Sequence, residues 1–250
     1  MTTILKLGGS VITDKDVPET IDEEAIERAA EIIAEHDDCV LVHGGGSFGH
    51  YHATEHGVSR TAGTHDERAI RAIHDAMTTL NTAVLDALSA AGVAALPVHP
   101  LSIATRTTDG ELMFSVDQVR TMLGEGFLPV LHGDIVVHEE SGATIVSGDE
   151  LVCVLASSLD ADRVGLCSAV PGVLDGNDVL PEINTFADAA DALGESESTD
   201  VTGGMAAKVR ALLALETPAF VFDREGLAPF LDGDCPGTRI GYDPELDSQL

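Results

Sequence analysis

The chain has 250 residues, of which 44% are hydrophobic, enough to bury a full core, and no run of about 18 apolar residues could cross a membrane. Its 43 Asp and Glu against 13 Lys and Arg give a formal charge of −30, and without a basic stripe to meet phosphate backbones no nucleic-acid partner is expected. The acids are scattered among Ala, Leu and Ile at helical spacing rather than gathered in a tail, which points to a salt-adapted cytoplasm that screens their self-repulsion.

Met1-Thr2-Thr3-Ile4-Leu5-Lys6 shows no basic stretch ahead of a long apolar segment, so a secretory leader is not expected and a cytoplasmic location is. Thr3–Leu7 reads as a strand running into Gly8-Gly9-Ser10, a loop type that lets backbone N–H groups approach a phosphate. Asp22–Glu35 reads as an amphipathic helix, with Ile26, Ala29, Ile32 and Ile33 inward and acids at its positive end. Cys39–Val42 is a buried-strand run that leads into His43-Gly44-Gly45-Gly46-Ser47-Phe48-Gly49-His50. Three glycines there can serve a tight turn, or a nest of amides for phosphate with His50 as a further donor.

His65–Ala91 is a long helical pattern closed by Gly92, and Val93–Val98 is a strand stopped by Pro97 and Pro100. Along that helix Ile73, Met77 and Leu80 are ordinary core or the lining of a pocket for a short apolar tail. Phe127–Leu131 leads into His132-Gly133-Asp134, Ile135–Val137 and Ala143–Val146 form a hairpin, and Ser147-Gly148-Asp149-Glu150 caps a helix to about Leu159. Arg163–Cys167 is a strand, and Gly172–Leu174 with Asp175-Gly176-Asn177 makes a strand and turn. Glu195–Asp200 reads as a mobile loop delivering Thr202-Gly203-Gly204-Met205 to a helix that carries Lys208, and Pro218–Phe222 and Thr238–Ile240 close the sheet. Alternating strands and helices imply an α/β fold, an αβα sandwich around a mainly parallel central sheet.

Only three lysines occur, Lys6, Lys15 and Lys208, and each lies in or beside a glycine-rich segment. A lysine ammonium is a mobile point charge suited to a transferring phosphoryl group. Four dispersed cysteines form no Cys-x-x-Cys pair and read as buried small hydrophobes. His43, His50, His52 and His56 show no ligand carboxylate at a familiar spacing, so no metal held by protein side chains is expected. Neither a P-loop, a protein-kinase glycine loop nor Gly-x-Gly-x-x-Gly is present.

The ordered set Lys6-Leu7-Gly8-Gly9-Ser10, His43-Gly44-Gly45-Gly46, Gly133-Asp134, Ser147-Gly148-Asp149 and Thr202-Gly203-Gly204-Met205-x-x-Lys208 resembles the amino acid kinase family over essentially the whole chain. Gly44–His50 is similar to the isopentenyl phosphate kinase branch, with His50 as the discriminating residue. That resemblance implies ATP-dependent phosphorylation of an isoprenoid monophosphate, isopentenyl phosphate, in isoprenoid biosynthesis, with Mg2+ arriving with ATP, by a homodimer. It implies one amino acid kinase domain with an acceptor lobe over about 1–160 and a nucleotide lobe over 161–250. Lys6, Leu7, Gly8, Gly9, Ser10, Gly46, Ser168, Gly204 and Lys208 would bind ATP, and Gly45, His50 and Gly148 the acceptor. Lys15, Lys6 and His50 would be catalytic, with Asp134 and Asp149 orienting lysines. The chain departs from the family pattern at Ser168-Ala169-Val170-Pro171-Gly172-Val173, where Asp-Val-Asp-Gly-Val is frequent. Relatives that phosphorylate fosfomycin share the histidine, and a nucleotide-binding regulator on the same fold is the non-enzyme alternative.

Overall fold

A computed structural model describes residues 1–14, 16–36, 38–193 and 204–241. The chain runs through β1 (Thr3–Leu7), β2 (Cys39–His43), β3 (Ala95–Pro97), β4 (Ala104–Arg106), β5 (Leu112–Phe114), β6 (Leu128–His132), β7 (Asp134–His138) and β8 (Gly142–Val146). It continues with β9 (Arg163–Cys167), β10 (Leu174–Asp175), β11 (Asp178–Val179), β12 (Glu182–Ile183), β13 (Ala219–Phe222) and β14 (Thr238–Ile240). The first four helices are α1 (Gly9–Ile12), α2 (Glu23–Ile33), α3 (Gly46–Glu55) and α4 (Glu67–Ala90).

The central sheet has eight strands in the order β12-β14-β13-β9-β1-β2-β6-β3, parallel except where β13 meets β14. β1 sits inside it, paired in parallel with β2 and with β9. Strand side chains alternate between faces. Ile4, Val40 and Val42 therefore join one core, with Leu151, Val152 and Leu155 of the helix Gly148–Leu159 and Val209 and Leu212 of Gly204–Leu213. Leu5, Leu7 and Leu41 join the other, with Ile26 and Ile33 of α2 and Leu80, Val84 and Leu88 of α4. The expected αβα sandwich is what these two cores bound.

Local chemistry sets the boundaries. Asp22 caps α2 by accepting the Ala25 N–H at 3.1 Å, with Glu23 and Glu24 in the first turn. Asp66 does the same for α4 through the Arg68 N–H at 2.9 Å, two residues later than the spacing predicts. The Val93–Val98 strand shrinks to Ala95–Pro97 at the sheet edge, where a proline costs no interior ladder bond.

A second sheet, β5-β4-β7-β8, was not foreseen apart from its β7–β8 hairpin. Its β4 and β5 have three residues each and lack an apolar alternation, so periodicity does not mark them. Packing does: buried Arg106 on β4 makes a two-pronged ion pair with Glu150 at 2.6 and 3.1 Å. Gly172–Leu174 contributes only Leu174 to a hairpin of β10 and β11 outside the central sheet. Glu195–Asp200, Thr202 and Gly203 lie outside the described residues, as does Lys15. No helix among the described residues is long and apolar enough to cross a membrane.

Candidate active site

β1, β2, β6 and β9 are parallel, so their carboxyl ends open on one side, where ligands of open α/β sheets bind. Their exits are laced together. The Gly44 N–H donates to the Leu7 carbonyl at 2.9 Å, Gly8 N–H to Cys167 at 2.8 Å, and Gly133 N–H to His43 at 3.0 Å. The two glycine loops then press backbone on backbone. A Cβ on Gly9 would stand 2.1 Å from the Gly46 nitrogen, and one on Gly44 would stand 2.5 Å from the Gly9 nitrogen. Gly46 also has φ +49, and its absent Cβ would lie 2.0 Å from Thr13 Oγ1.

The space above these exits is a cavity of about 800 Å³. Lys6, Gly8, Gly9, Ser10, Gly44–Gly46, Gly148, Asp149, Ser168 and Lys208 border one part of it. Lys6 is buried, and its Nζ donates to Asp149 Oδ1 at 2.7 Å. Burial alone would push the Asp149 carboxyl up, but the charges of Lys6 and Lys208 outweigh it and hold the group below its ordinary value. Gly148 leaves room for that lysine, since a Cβ there would come 3.1 Å from Lys6 Cε. The Ser147 hydroxyl caps the same helix by accepting the Glu150 N–H, and Arg106 holds Glu150 from the second sheet.

The other part of the cavity is bordered by His50, Tyr51 and Ala53 of α3, Ile73 and Met77 of α4, and Ile145 of β8. Helix α3 starts at the glycine loop, and its first N–H groups have no intrahelical acceptor. Close approach of α3 to α4 also depends on glycine, because a Cβ on Gly45 or Gly49 would stand 3.2 or 2.9 Å from Met77 Sδ. Of the three apolar residues with two readings, Ile73 and Met77 border the cavity, while Leu80 belongs to the core.

Asp134, expected to orient a lysine, meets a histidine instead. His74 Nδ1 donates to Asp134 Oδ2 at 2.9 Å, and the Ile135 N–H donates to Oδ1 at 2.8 Å. The hydrogen bond to Asp134 raises the His74 pKa against the opposing effect of burial. His99 and His132 continue the group, with His99 Nδ1 and His132 Nε2 2.9 Å apart, and His132 stacks on His43. Burial, then the neighbouring His43, depresses His132, so it is neutral and donates from Nδ1 to the Gly133 carbonyl. None of His74, His99 and His132 stands out in the sequence. The contact of His74 with Asp134 spans 60 positions between a helix and a strand.

Two expected nucleotide contacts lie off the cavity border: Leu7 points into the core, and Gly204 opens the helix that brings Lys208 in. The histidine run also holds more than its sequence suggests. His52, Glu55 and His56 offer ligand atoms within 4.8 Å of one another.

The amino acid kinase family model matches residues 1–222. The chain belongs to that family. Among its relatives, the isopentenyl phosphate kinase of Haloferax volcanii is 65% identical over 241 residues, covering 95% of this chain and 97% of that protein. The Methanocaldococcus jannaschii isopentenyl phosphate kinase is 34% identical, covering 97% of this chain and 99% of that one. Among solved structures, an isopentenyl phosphate kinase superposes with a TM-score of 0.83 at 29% identity over 96% of this chain and 100% of its own. The product complex of T. acidophilum isopentenyl phosphate kinase matches with a TM-score of 0.76 at 25% identity, again over 96% of this chain and 100% of its own. In this amino acid kinase the glycine exits of β1 and β2, with Lys6 and Lys208, border one part of the cavity.

Proposed function

We propose that this amino acid kinase transfers the γ-phosphoryl group of ATP to isopentenyl phosphate, giving isopentenyl diphosphate and ADP. The observation that carries the reading is the second part of the cavity. There His50, a donor to a phosphate, stands on the glycine-loop helix beside an apolar wall of Ala53, Ile73, Met77 and Ile145. A phosphate with a short hydrocarbon tail matches both surfaces. A phosphonate as small as fosfomycin would use His50 and leave much of that wall uncovered.

In this reading Lys6, Gly8, Gly9, Ser10, Gly46 and Lys208 hold the triphosphate, Ser168 borders the nucleotide, and Gly45, His50 and Gly148 hold the acceptor phosphate. An oxygen of that phosphate bonds to the γ-phosphorus as the bond from γ-phosphorus to the β–γ bridging oxygen breaks, and ADP leaves. The acceptor is already an anion, so no general base is required, and positioning and electrostatics carry the rate. Lys6 is preset for that role by Asp149. Asp149 is taken up by Lys6 and Asp134 by His74, so Mg2+ would be carried on the triphosphate rather than by these carboxylates. Lys15 would follow the transferring charge, so Lys15→Ala should lower kcat far more than it changes either KM. A homodimer in a salt-rich cytoplasm, with an acceptor lobe up to about residue 160, completes the reading.

The test is ADP release in molar KCl with isopentenyl phosphate, dimethylallyl phosphate, fosfomycin and UMP as acceptors. The reading expects isopentenyl phosphate to give the highest kcat/KM. Preference for fosfomycin or UMP would overturn it.

A further inference from the structure

At the rim of the cavity, which Ala53, Thr54 and Glu55 border, α3 ends in His52-Ala53-Thr54-Glu55-His56. Positions i, i+3 and i+4 of a helix share a face, which brings the three polar side chains together. His52 is the inner member, 17% exposed, and its two ring nitrogens have different surroundings. Nε2 lies 2.8 Å from Glu19 Oε1, and because a carboxylate only accepts, Nε2 carries the proton. That fixes the tautomer of the neutral ring, in which Nδ1 keeps a lone pair. Nδ1 is buried and has no hydrogen-bond partner. It faces Glu55 Oε2 at 3.6 Å, too long for a hydrogen bond.

With the ring neutral, Nδ1 and the Glu55 carboxylate are two acceptors across that gap, an arrangement that a shared cation would satisfy. Zinc–nitrogen and zinc–oxygen bonds of about 2.0–2.2 Å set the edge of a coordination tetrahedron at roughly 3.3–3.5 Å, close to the separation seen here. His56 brings a third ligand atom, within 4.8 Å of one from His52 and one from Glu55. Glu19 then stands where a carboxylate orients a metal-bound imidazole through its far nitrogen.

We infer that His52 Nδ1, Glu55 and His56 form a binding site for a divalent transition ion of the Zn2+ class, with Glu19 as the orienting carboxylate and solvent at the fourth position. Two imidazoles select against Mg2+ and Ca2+, which prefer all-oxygen shells. The ion would fasten Glu55 and, through His52 and Glu19, the loop 16–20, whose Asp16 and Pro18 border the same cavity. The site owes nothing to the phosphoryl-transfer residues.

The experiment uses untagged, chelator-stripped protein titrated with Co2+ in KCl, read by visible absorption. One equivalent should produce the intense bands of four-coordinate cobalt, and Zn2+ should abolish them. His56→Ala, at an exposed helix end, should fold normally and weaken binding at least 100-fold, as should Glu55→Gln. Glu19→Gln should weaken it about 10- to 100-fold. Absence of the bands, or bands that persist unchanged in His56→Ala, would overturn the site.

Discussion

At the part of the cavity bordered by the glycine loops the contacts come from backbone and from one part-buried ion pair. Gly8, Gly9, Gly44 and Gly46 interlock without side chains, and Lys6 is held by Asp149 at 2.7 Å. At the other part, where we propose that the acceptor binds, the surface is made by side chains of α3, α4 and β8, and the carboxylate there, Asp134, is held by His74. Two aspartates, one buried and one partly buried, line one cavity with different partners, and the partner decides what each can do. Asp149 stays ionised between Lys6 and Lys208, so it holds the Lys6 ammonium in place at the cavity. Asp134 is bound to a histidine and two backbone amides, so it fastens α4 to β7 behind the acceptor wall.

Lys6→Ala attacks the first part most severely. It removes a preorganised cation and leaves Asp149 beside a lost partner, so kcat should fall by about 10²- to 10³-fold. Stability should fall as well, by less than the ~3–5 kcal/mol of a fully buried pair, because Asp149 is part-exposed and keeps the charge of Lys208 nearby. Steady-state kinetics and urea unfolding check the two effects, and an unchanged kcat would remove Lys6 from the transfer step.

Gly9→Ala should come next. The new Cβ would meet the backbone nitrogen of Gly46, which cannot step aside as a flexible side chain could. Forcing the loops about 1 Å apart should cost on the order of 10²-fold in kcat with the fold retained. Near-normal turnover would show that the loops tolerate separation.

His50→Ala probes the acceptor part. Loss of a hydrogen bond to a charged group costs about 1.5–3 kcal/mol, or roughly 10- to 150-fold in kcat/KM for the acceptor. The KM for ATP should stay near normal, and His50→Gln should recover part of the loss. Equal losses toward ATP and acceptor would merge the two parts of the cavity into one site.

The contrast also explains what was legible in the sequence. Lys6 to Ser10, Gly44 to His50 and Ser147 to Asp149 are contiguous runs at strand exits, so residue type and order suffice to find them. The central strands were legible for the same reason: Cys39–Val42 and Val164–Cys167 are buried on both faces and apolar throughout. The short strands β4 and β5 and the pairing of His74 with Asp134 come only from packing between distant segments. Gly133-Asp134 follows a strand exit as the lysine-bearing runs do, yet the Asp134 side chain reaches His74 on α4. Glu55 escaped the reading of the histidine run because its value lies in where helix α3 turns it, beside His52 Nδ1.

The smallest expected effect belongs to His74. Its pKa is raised above the ordinary 6.5 by the bond to Asp134 in the folded state. The stability it contributes is therefore fully present below pH 6.5 and is lost as pH rises through the raised value. His74→Gln should be less stable than the parent at pH 6, with the difference narrowing on the alkaline side. Chemical denaturation across pH measures it, and a gap that widens with pH would reverse the assignment of charge in this pair.

Phosphorus NMR of the enzyme with ATP and isopentenyl phosphate in molar KCl tests the central claim most directly. The account predicts that the monophosphate resonance is replaced by the two coupled resonances of isopentenyl diphosphate, in step with formation of ADP. ADP appearing while the isopentenyl phosphate resonance stays unchanged would contradict it.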